Sequence, residues 1–337
     1  MKNIELPRKV VTGDGAINEI NNVVEELRLW GNSLVLADPT TKDIAGEKIL
    51  AALKDSQIHI IEQTADVEVE NILGEVKKNS VKFLAAAGGG KTIDIAKVVA
   101  LKANIPFLSI PTAASHDGIA SPQASIKGKI PTSVKAHSPI GIIADTEILS
   151  KAPPRLTAAG AADVISNYTA VLDWKLAKAE KNEYYGDYAS VLAMLSAEIV
   201  MYNAEKIKED LSILVEALIS SGVAIGIAGS SRPCSGAEHM FSHVLDIDCP
   251  TPALHGEQCG VGTIIMAYLH GADWQKIKES LKKVGAPTTA KEMNIEDKYI
   301  IDALVKATKI RDRYTILREG ITAEKAAEVA KITGVIE

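Results

Sequence analysis

The sequence predicts an α/β amino-terminal domain built on a parallel sheet, followed by an all-α carboxyl-terminal domain. Three observations carry this expectation. Short apolar runs alternate with amphipathic stretches through the first half. In the second half apolar residues recur at helical spacing and strand signals nearly vanish. Two adjacent prolines, Pro153 and Pro154, separate the styles and set expected domains of 1–152 and 153–337. At 337 residues the chain is also too long for one ordinary core.

The elements follow in order. Residues 34–37 form an apolar run, and 41–53 an amphipathic stretch. Residues 58–61 are β-rich and 67–78 read as helix. The run 83–87 closes on Gly88, Gly89 and Gly90, after which 92–101 is helical; 105–110 and 141–144 are the last two apolar runs. Between Pro111 and Pro139 the pattern breaks into a Ser-, Pro-, Gly- and Thr-rich loop or hairpin excursion, of the kind that usually carries function. Helical spacing then runs through 162–179, 188–207, 211–228, 238–245, 260–269, 274–284 and 323–332.

Composition narrows the function. Hydrophobic residues make up 47% and charged residues 24%, the mixture of a globular protein. The net charge is -6 and no basic stripe interleaved with aromatics occurs, so nucleic acid is not an expected partner. The longest apolar segment, 218–228, is too short and too interrupted to span a bilayer, and residues 1–10 lack the apolar stretch of a signal peptide. An odd count of three cysteines (Cys234, Cys249 and Cys259) points to a reducing, cytoplasmic setting rather than a disulfide framework.

Gly88, Gly89, Gly90, Lys91 and Thr92 sit where a strand hands over to a helix. Glycine lets backbone approach a ligand, and the free amides and dipole of a helix start favour a phosphate or pyrophosphate. Neither standard nucleotide-loop spacing is met. Asp38, just past the first apolar run, is placed to accept a ribose hydroxyl, or else simply forms a turn before Pro39.

Three segments carry metal-binding residue types: GAADVISN with Asp163, GAEHMFSH with His239 and His243, and LHGE with His255. One carboxylate with two histidines and an open position suits a catalytic Zn²⁺ or Fe²⁺. The i, i+4 spacing puts His239 and His243 on one helix face. The competing readings are satisfied core histidines, a capping Asp163, or a structural zinc knot of His255 with Cys249 and Cys259, for which no C-x-x-C pair exists.

The order GGGKTIDIAK, IPTAASHDGIASP, GAADVISN, GAEHMFSH, LHGEQCG resembles the superfamily of iron- or zinc-dependent polyol dehydrogenases, glycerol dehydrogenases and dehydroquinate synthases. Within it, the segment SSRPCSGAEH resembles the sn-glycerol-1-phosphate dehydrogenase family of archaeal ether-lipid synthesis. The resemblance implies a Rossmann-like first domain and a dehydroquinate synthase-like whole. It implies Asp163, His239 and His255 as ligands of Zn²⁺, with Fe²⁺ or Ni²⁺ as alternatives, and His243 as a substrate neighbour. It further implies that Asp117 and Asp163 approach the substrate, and that Gly88 to Thr92, Thr112, Ala113, Ala114, Ser115 and Ser121 line NAD or NADP.

The reaction so implied reduces dihydroxyacetone phosphate, a phosphorylated triose, to sn-glycerol 1-phosphate for phospholipid synthesis. His243 or Asp117 would carry the proton. Arg232 is the expected phosphate ligand, because its planar fork suits phosphate oxygens, against the alternative of a plain ion-pair residue. A glycerol dehydrogenase acting on unphosphorylated polyols and a dehydroquinate synthase-like lyase are the alternatives; the lyase needs more basic residues near the metal motifs than Arg232 alone. A homo-oligomer is the usual state of such enzymes.

Overall fold

The computed structural model describes residues 4–126 and 132–337. The chain divides into two compact units, Met1–Pro154 and Arg155–Glu337, two residues later than the prolines suggested.

The first unit contains β1 (Lys9–Gly13), β2 (Ser33–Ala37), β3 (Ser56–Ile60), β4 (Phe83–Gly88), β5 (Phe107–Pro111), β6 (Gln123–Ile126), β7 (Thr132–Lys135) and β8 (Gly141–Asp145). Its helices are α1 (Ile20–Glu26), the single turn α2 (Pro39–Thr41), α3 (Glu47–Ala52), α4 (Ala65–Lys78), α5 (Gly90–Ala103) and α6 (Thr146–Ser150). Six strands form one sheet in the order β1-β8-β5-β4-β2-β3, with every neighbouring pair parallel. All residues of β2, β4, β5 and β8 are buried, which is why these strands read as unbroken apolar runs. β1 lies at an edge and alternates half-buried and exposed residues, so its sequence gave no apolar run. On one face Ile17, Ile20, Val23 and Ile49 pack with Val35, Leu108 and Ile143 of the sheet.

Strand order determines where a ligand can bind. From β2 the chain moves outward to β3, then returns to place β4 on the opposite side of β2. The carboxyl ends of β2 and β4 therefore flank the topological switch point, the usual crevice of open parallel sheets. The excursion after β5 is indeed a hairpin, β6 antiparallel to β7; residues 127–131 lie outside the described ones. It is stapled to α5: the fully buried Lys97 ammonium donates to Gln123 O (2.6 Å) and Asp94 Oδ1 (3.1 Å), and Asp94 Oδ2 accepts Ser125 N (2.9 Å).

The turn between β3 and α4 is fixed by charge. Glu68 Oε1 accepts the amides of Glu62 and Gln63 at 2.7 Å, and His59 bridges Glu68 (2.8 Å) and Glu75 (2.7 Å). Burial lowers the His59 pKa, but the two carboxylates outweigh it and leave the imidazole above its ordinary value. Burial likewise raises Glu68, and the Gln63 amide together with His59 outweighs it, holding that carboxyl below its ordinary value.

The second unit is helical: α7 (Pro154–Lys181), α8 (Asp187–Tyr202), α9 (Ser212–Ala228), α10 (Ala237–Asp248), α11 (His255–Leu269), α12 (Trp274–Val284), α13 (Asp297–Lys306) and α14 (Ala323–Ile332). α7 buries a stripe of small residues that includes Ala158, Ala159, Ala161 and Ala162. α11 lies directly on that stripe. A Cβ on Gly256 would fall 2.0 Å from the Ala159 carbonyl oxygen, and one on Gly260 3.0 Å from the Ala162 Cβ. The first turns are clamped by Arg155, whose Nε and Nη2 each donate to Glu257 at 2.6 Å.

Two predictions follow from this packing. In Gly256→Ala the clash is with backbone, so α11 must retreat from α7; a loss of roughly 1–3 kcal/mol is expected, read as a lower Tm together with a lower bound-metal content. A variant with wild-type values of both would show that the helices are not in contact there. For His59→Gln the sign follows from linkage. The raised His59 stabilises the fold below pH 6.5 and loses that contribution as pH rises through its folded pKa, whereas the lowered Glu68 contributes above pH 4.5. The Tm deficit of His59→Gln should therefore be larger at pH 5.5 than at pH 8.5, and equal deficits at both would refute the bridge.

Candidate metal centre and cofactor loops

Four metal-ligating side chains of the helical unit converge: Asp163 from α7, His239 from α10, and His255 and Cys259 from α11, with one ligand atom of each lying within 4.8 Å of the others. Asp163 Oδ1 is 3.8 Å from His239 Nε2 and 3.9 Å from His255 Nε2. These separations are too long for hydrogen bonds. They are slightly wider than the roughly 3.3–3.6 Å between ligand atoms bound tetrahedrally at about 2.0–2.2 Å. The donor chemistry and spacing thus fit one divalent cation.

Each imidazole is held from behind. His239 Nδ1 faces Glu238 Oε1 at 3.0 Å, and that fully buried carboxylate also accepts Gly236 N (2.5 Å) and Thr169 Oγ1 (2.9 Å). For His255 the direction of each bond can be traced. Gln258 Nε2 donates to Ala253 O at 2.8 Å and to Asp246 Oδ1 at 3.3 Å, so its Oε1 must be the acceptor for the Ser242 hydroxyl at 3.0 Å. The single Ser242 proton is thereby used, and its oxygen accepts from His255 Nδ1–H at 3.0 Å. That tautomer leaves the Nε2 lone pair directed at the cluster, the arrangement metal-binding histidines require.

Charge is distributed accordingly. Burial raises the Glu238 carboxyl, but its hydrogen bond with His239 outweighs this and holds it below the usual range. Burial lowers His239, yet Cys259 and Glu238 outweigh it and hold the imidazole well above its ordinary value. Burial pushes the Cys259 thiol up to about 11, so at neutral pH it stands as a thiol, a weaker donor to a cation than a thiolate. Cys259 Sγ is 3.6 Å from His255 Nε2, whereas Cys249 is not a member of the cluster. The zinc knot of His255 with both cysteines is therefore not what forms. His243 lies on the same face as His239, its ring stacked on His255 with centroids 5.9 Å apart; it is a neighbour of the cluster and not one of its members.

Arg232 is not brought to this centre. Its guanidinium is buried and engaged: Nε donates to Glu183 Oε1 at 2.6 Å, Nη2 pairs with Glu183 Oε2, and Nη1 donates to Tyr314 O at 2.7 Å. Its partner Glu183 lies just beyond the end of α7. Asp163 and Lys181 are separated by about 27 Å of helix axis at about 1.5 Å per residue. Only six residues of sequence lie between Arg232 and His239, yet the Arg232 guanidinium is bound by Glu183 beyond the end of α7.

In the first unit the cofactor candidates gather at the carboxyl ends of β2, β4 and β5. Thr112 N donates to Gly88 O at 3.1 Å, which ties the loop of Thr112, Ala113, Ala114 and Ser115 to the glycine turn. The three glycines have different reasons. A Cβ on Gly88 would meet Thr92 at 2.6 Å and one on Gly90 would meet His116 Nε2 at 2.0 Å, while Gly89 has nothing within 4 Å. Gly89 is thus the position open to a ligand. His116, not anticipated from sequence, packs over Gly90 and accepts Gly118 N through Nδ1 at 2.9 Å. Lys91 turns aside, its ammonium donating to Gln63 O at 2.7 Å. Asp38 caps α2, with Oδ1 accepting Thr40 N (2.9 Å) and Thr41 N (2.8 Å), the turn-forming alternative. Asp117 opens a short helical turn whose carbonyl accepts the amides of Ala120 and of the buried Ser121, each at 3.1 Å. No helix among the described residues is long and apolar enough to cross a membrane.

The chain is similar to known proteins over nearly its whole length. Residues 11–153 match the family model described as iron-containing alcohol dehydrogenase. Among solved structures, a probable glycerol dehydrogenase from Sinorhizobium meliloti superposes with a TM-score of 0.83 at 20% identity, each chain covered in full. A glycerol dehydrogenase from Schizosaccharomyces pombe gives 0.83 at 21% identity, covering 99% of this chain and 90% of that one. These two establish the fold. Curated relatives are much nearer in sequence. A protein of Methanosarcina mazei is 50% identical over 99% of this chain and 96% of its own length, and one of Pyrococcus furiosus 53% identical over 99% of each. Both are named glycerol-1-phosphate dehydrogenase (NAD(P)+). At such identity over nearly its whole length, the chain belongs to the glycerol-1-phosphate dehydrogenase family.

Proposed function

We propose that this chain catalyses the NAD(P)H-dependent reduction of dihydroxyacetone phosphate to sn-glycerol 1-phosphate and the reverse oxidation. The observation that carries the proposal is the convergence of Asp163 Oδ1 with two oriented imidazole nitrogens at 3.8 and 3.9 Å. Glycerol 1-phosphate is the compound in the relatives' names, and removing two hydrogens at its secondary hydroxyl gives the 2-ketone, dihydroxyacetone phosphate. We place the enzyme in the cytoplasm, its three free buried cysteines suiting a reducing compartment, and assign its product to ether-lipid synthesis. Homo-oligomer formation is part of the same proposal.

Asp163, His239 and His255 would hold the divalent ion; when bound it supplies Lewis acidity towards the ketone oxygen, as the nicotinamide supplies the hydride. The polypeptide supplies position. Glu238 and the Ser242–Gln258 pair fix both rings before substrate arrives, so no reorganisation is needed during reaction. His243, stacked against His255, is the group proposed to deliver the proton to the product oxygen, with Asp117 as the second candidate. Asp117, Asp163 and His243 are the proposed substrate contacts. The cofactor's pyrophosphate is assigned to Gly89 and the first amides of α5, flanked by Thr112 to Ser115 and Ser121, with the ribose near Asp38.

Two tests address this. With metal-loaded protein, loss of NADH or NADPH absorbance is expected with dihydroxyacetone phosphate and not with dihydroxyacetone. A chelator or Asp163→Asn should lower the rate by roughly 10³-fold, the scale of several kcal/mol of Lewis-acid stabilisation. Turnover of the unphosphorylated ketone alone would reassign the chain to glycerol oxidation. For the orientation of His255, Ser242→Ala should weaken metal retention by about 10–100-fold, measured by competition with a chelator, and Ser242→Thr should restore it. Unchanged affinity in the alanine variant would remove Ser242 from the role.

A further inference from the structure

A second polar site lies in the helical unit, and none of its lining residues belongs to the metal cluster. Beyond the end of α7 and beside the segment that follows α13 is a cavity of about 620 Å³. It is lined by five cations, Lys181, Arg232, Arg311, Arg313 and Arg318, against only two carboxylates. The volume falls within the range of small-molecule sites, about 300–1,000 Å³.

Most of these cations already have partners. Arg232 is engaged by Glu183. Arg313 donates to Ser231 Oγ at 2.9 Å and to the Ser235 carbonyl. Arg318 Nε is 3.0 Å from Glu180 Oε2, and Lys181 lies 5.1 Å over the Tyr314 ring. Arg311 is different: it is half-buried in the cavity wall and makes no hydrogen bond or ion pair among the described residues. Burial holds its guanidinium below the ordinary value with no carboxylate to offset it. Burial also brings Arg313 down to about 9, and the charges of Arg311 and Arg232 add to the effect. Packing like charges together at a partly desolvated wall is unfavourable unless an anion joins them.

We propose that this cavity binds a small phosphate-bearing anion, held by Arg311 with the spare N–H groups of its arginine neighbours. Planar guanidinium forks at several angles match phosphate oxygens better than a lone carboxylate. The proposed ligand is distinct from the substrate's phosphate: the Lys181 wall of the cavity lies about 27 Å along α7 from Asp163, beyond the reach of a three-carbon ketone phosphate, and the titration is made with the substrate position filled. The same phosphate chemistry is offered by a soluble phosphate monoester and by a phospholipid headgroup, and the test separates them.

Inorganic phosphate is titrated calorimetrically into metal- and NADPH-loaded protein with glycerol 1-phosphate saturating, a pairing with no hydride acceptor, so that the substrate's own phosphate position stays filled. One saturable event is expected, weakened at least about tenfold in Arg311→Gln, which removes a charge-assisted hydrogen-bonding partner. It should be largely kept in Arg311→Lys, with turnover unchanged in both variants. A parallel arm measures co-sedimentation with phosphatidylcholine vesicles containing phosphatidic acid. Arg311-dependent vesicle binding without a response to free phosphate would assign the site to a lipid headgroup. No saturable binding in either arm, or equal binding by wild type and Arg311→Gln, would overturn the proposal.

Discussion

The close approach of α7 and α11 is the constraint on which the metal centre rests. Ala159 and Asp163 lie four residues apart on one helix, as do His255 and Cys259, and Gly256 and Gly260, on the other. Residues so spaced share a face, so the small residues that let the backbones meet and the donors proposed to bind metal are interleaved on the same two surfaces. When Gly256 seats against the Ala159 carbonyl, His255 is delivered to Asp163 without any loop having to find it. The Arg155–Glu257 fork fixes the same two helices at their first turns. The donor geometry is therefore a consequence of packing, and interiors at crystal-like density deform little.

Packing sets position but not the direction of lone pairs, and hydrogen bonds supply that. The amide of Gln258 has only one orientation that satisfies Ala253 O, and from it the Ser242 hydroxyl and then the His255 tautomer follow in sequence. Gln258 and Ser242 are fully buried, so a reversed bond anywhere in the series would leave an unpaired polar atom. The α10 side uses a charge in place of a relay. Glu238 is buried, held by two donors, Gly236 N and Thr169 Oγ1, and presented to His239 as a fixed acceptor. One ring is thus oriented by a neutral chain and the other by a carboxylate, so the cluster carries Asp163 and Glu238 close together, an arrangement that a cation at its centre offsets.

What could be read from sequence depended on whether burial left a mark there. β2, β4, β5 and β8 are covered on both faces and show it as apolar runs; β1 is an edge strand and α13 a short, charged helix, and neither does. Asp163, His239 and His255 were visible because few other side-chain types bind divalent metals. Glu238, Ser242 and Gln258 were not, since a polar residue on a helix looks the same whether it faces water or a ligand. Cys259 was noticed only in company with Cys249, although its i, i+4 relation to His255 was the signal that mattered. For Arg232, adjacency to the metal motifs along the chain suggests a phosphate ligand, but a 3-10 turn at Arg232–Cys234 sets its guanidinium on Glu183, the ion-pair alternative.

The glycine turn shows how little of a motif has to touch its ligand. Gly88 and Gly90 answer to Thr92 and His116 inside the protein, and Lys91 is held by a carbonyl of the β3–α4 turn. Of the motif, Gly89 and the first amides of α5 are left to meet an anion, so on the function proposed here a pyrophosphate is recognised by backbone and not by a lysine. On the same proposal, discrimination at the ribose falls to Asp38. Its carboxylate is already shared between the amides of Thr40 and Thr41, which disperse its charge and hold it to the chain's own turn. A carboxylate so engaged repels a 2′-phosphate less than a free one and also binds a 2′-hydroxyl less tightly. A cofactor site of that kind tolerates both nicotinamide dinucleotides, in keeping with the NAD(P)+ in the relatives' names.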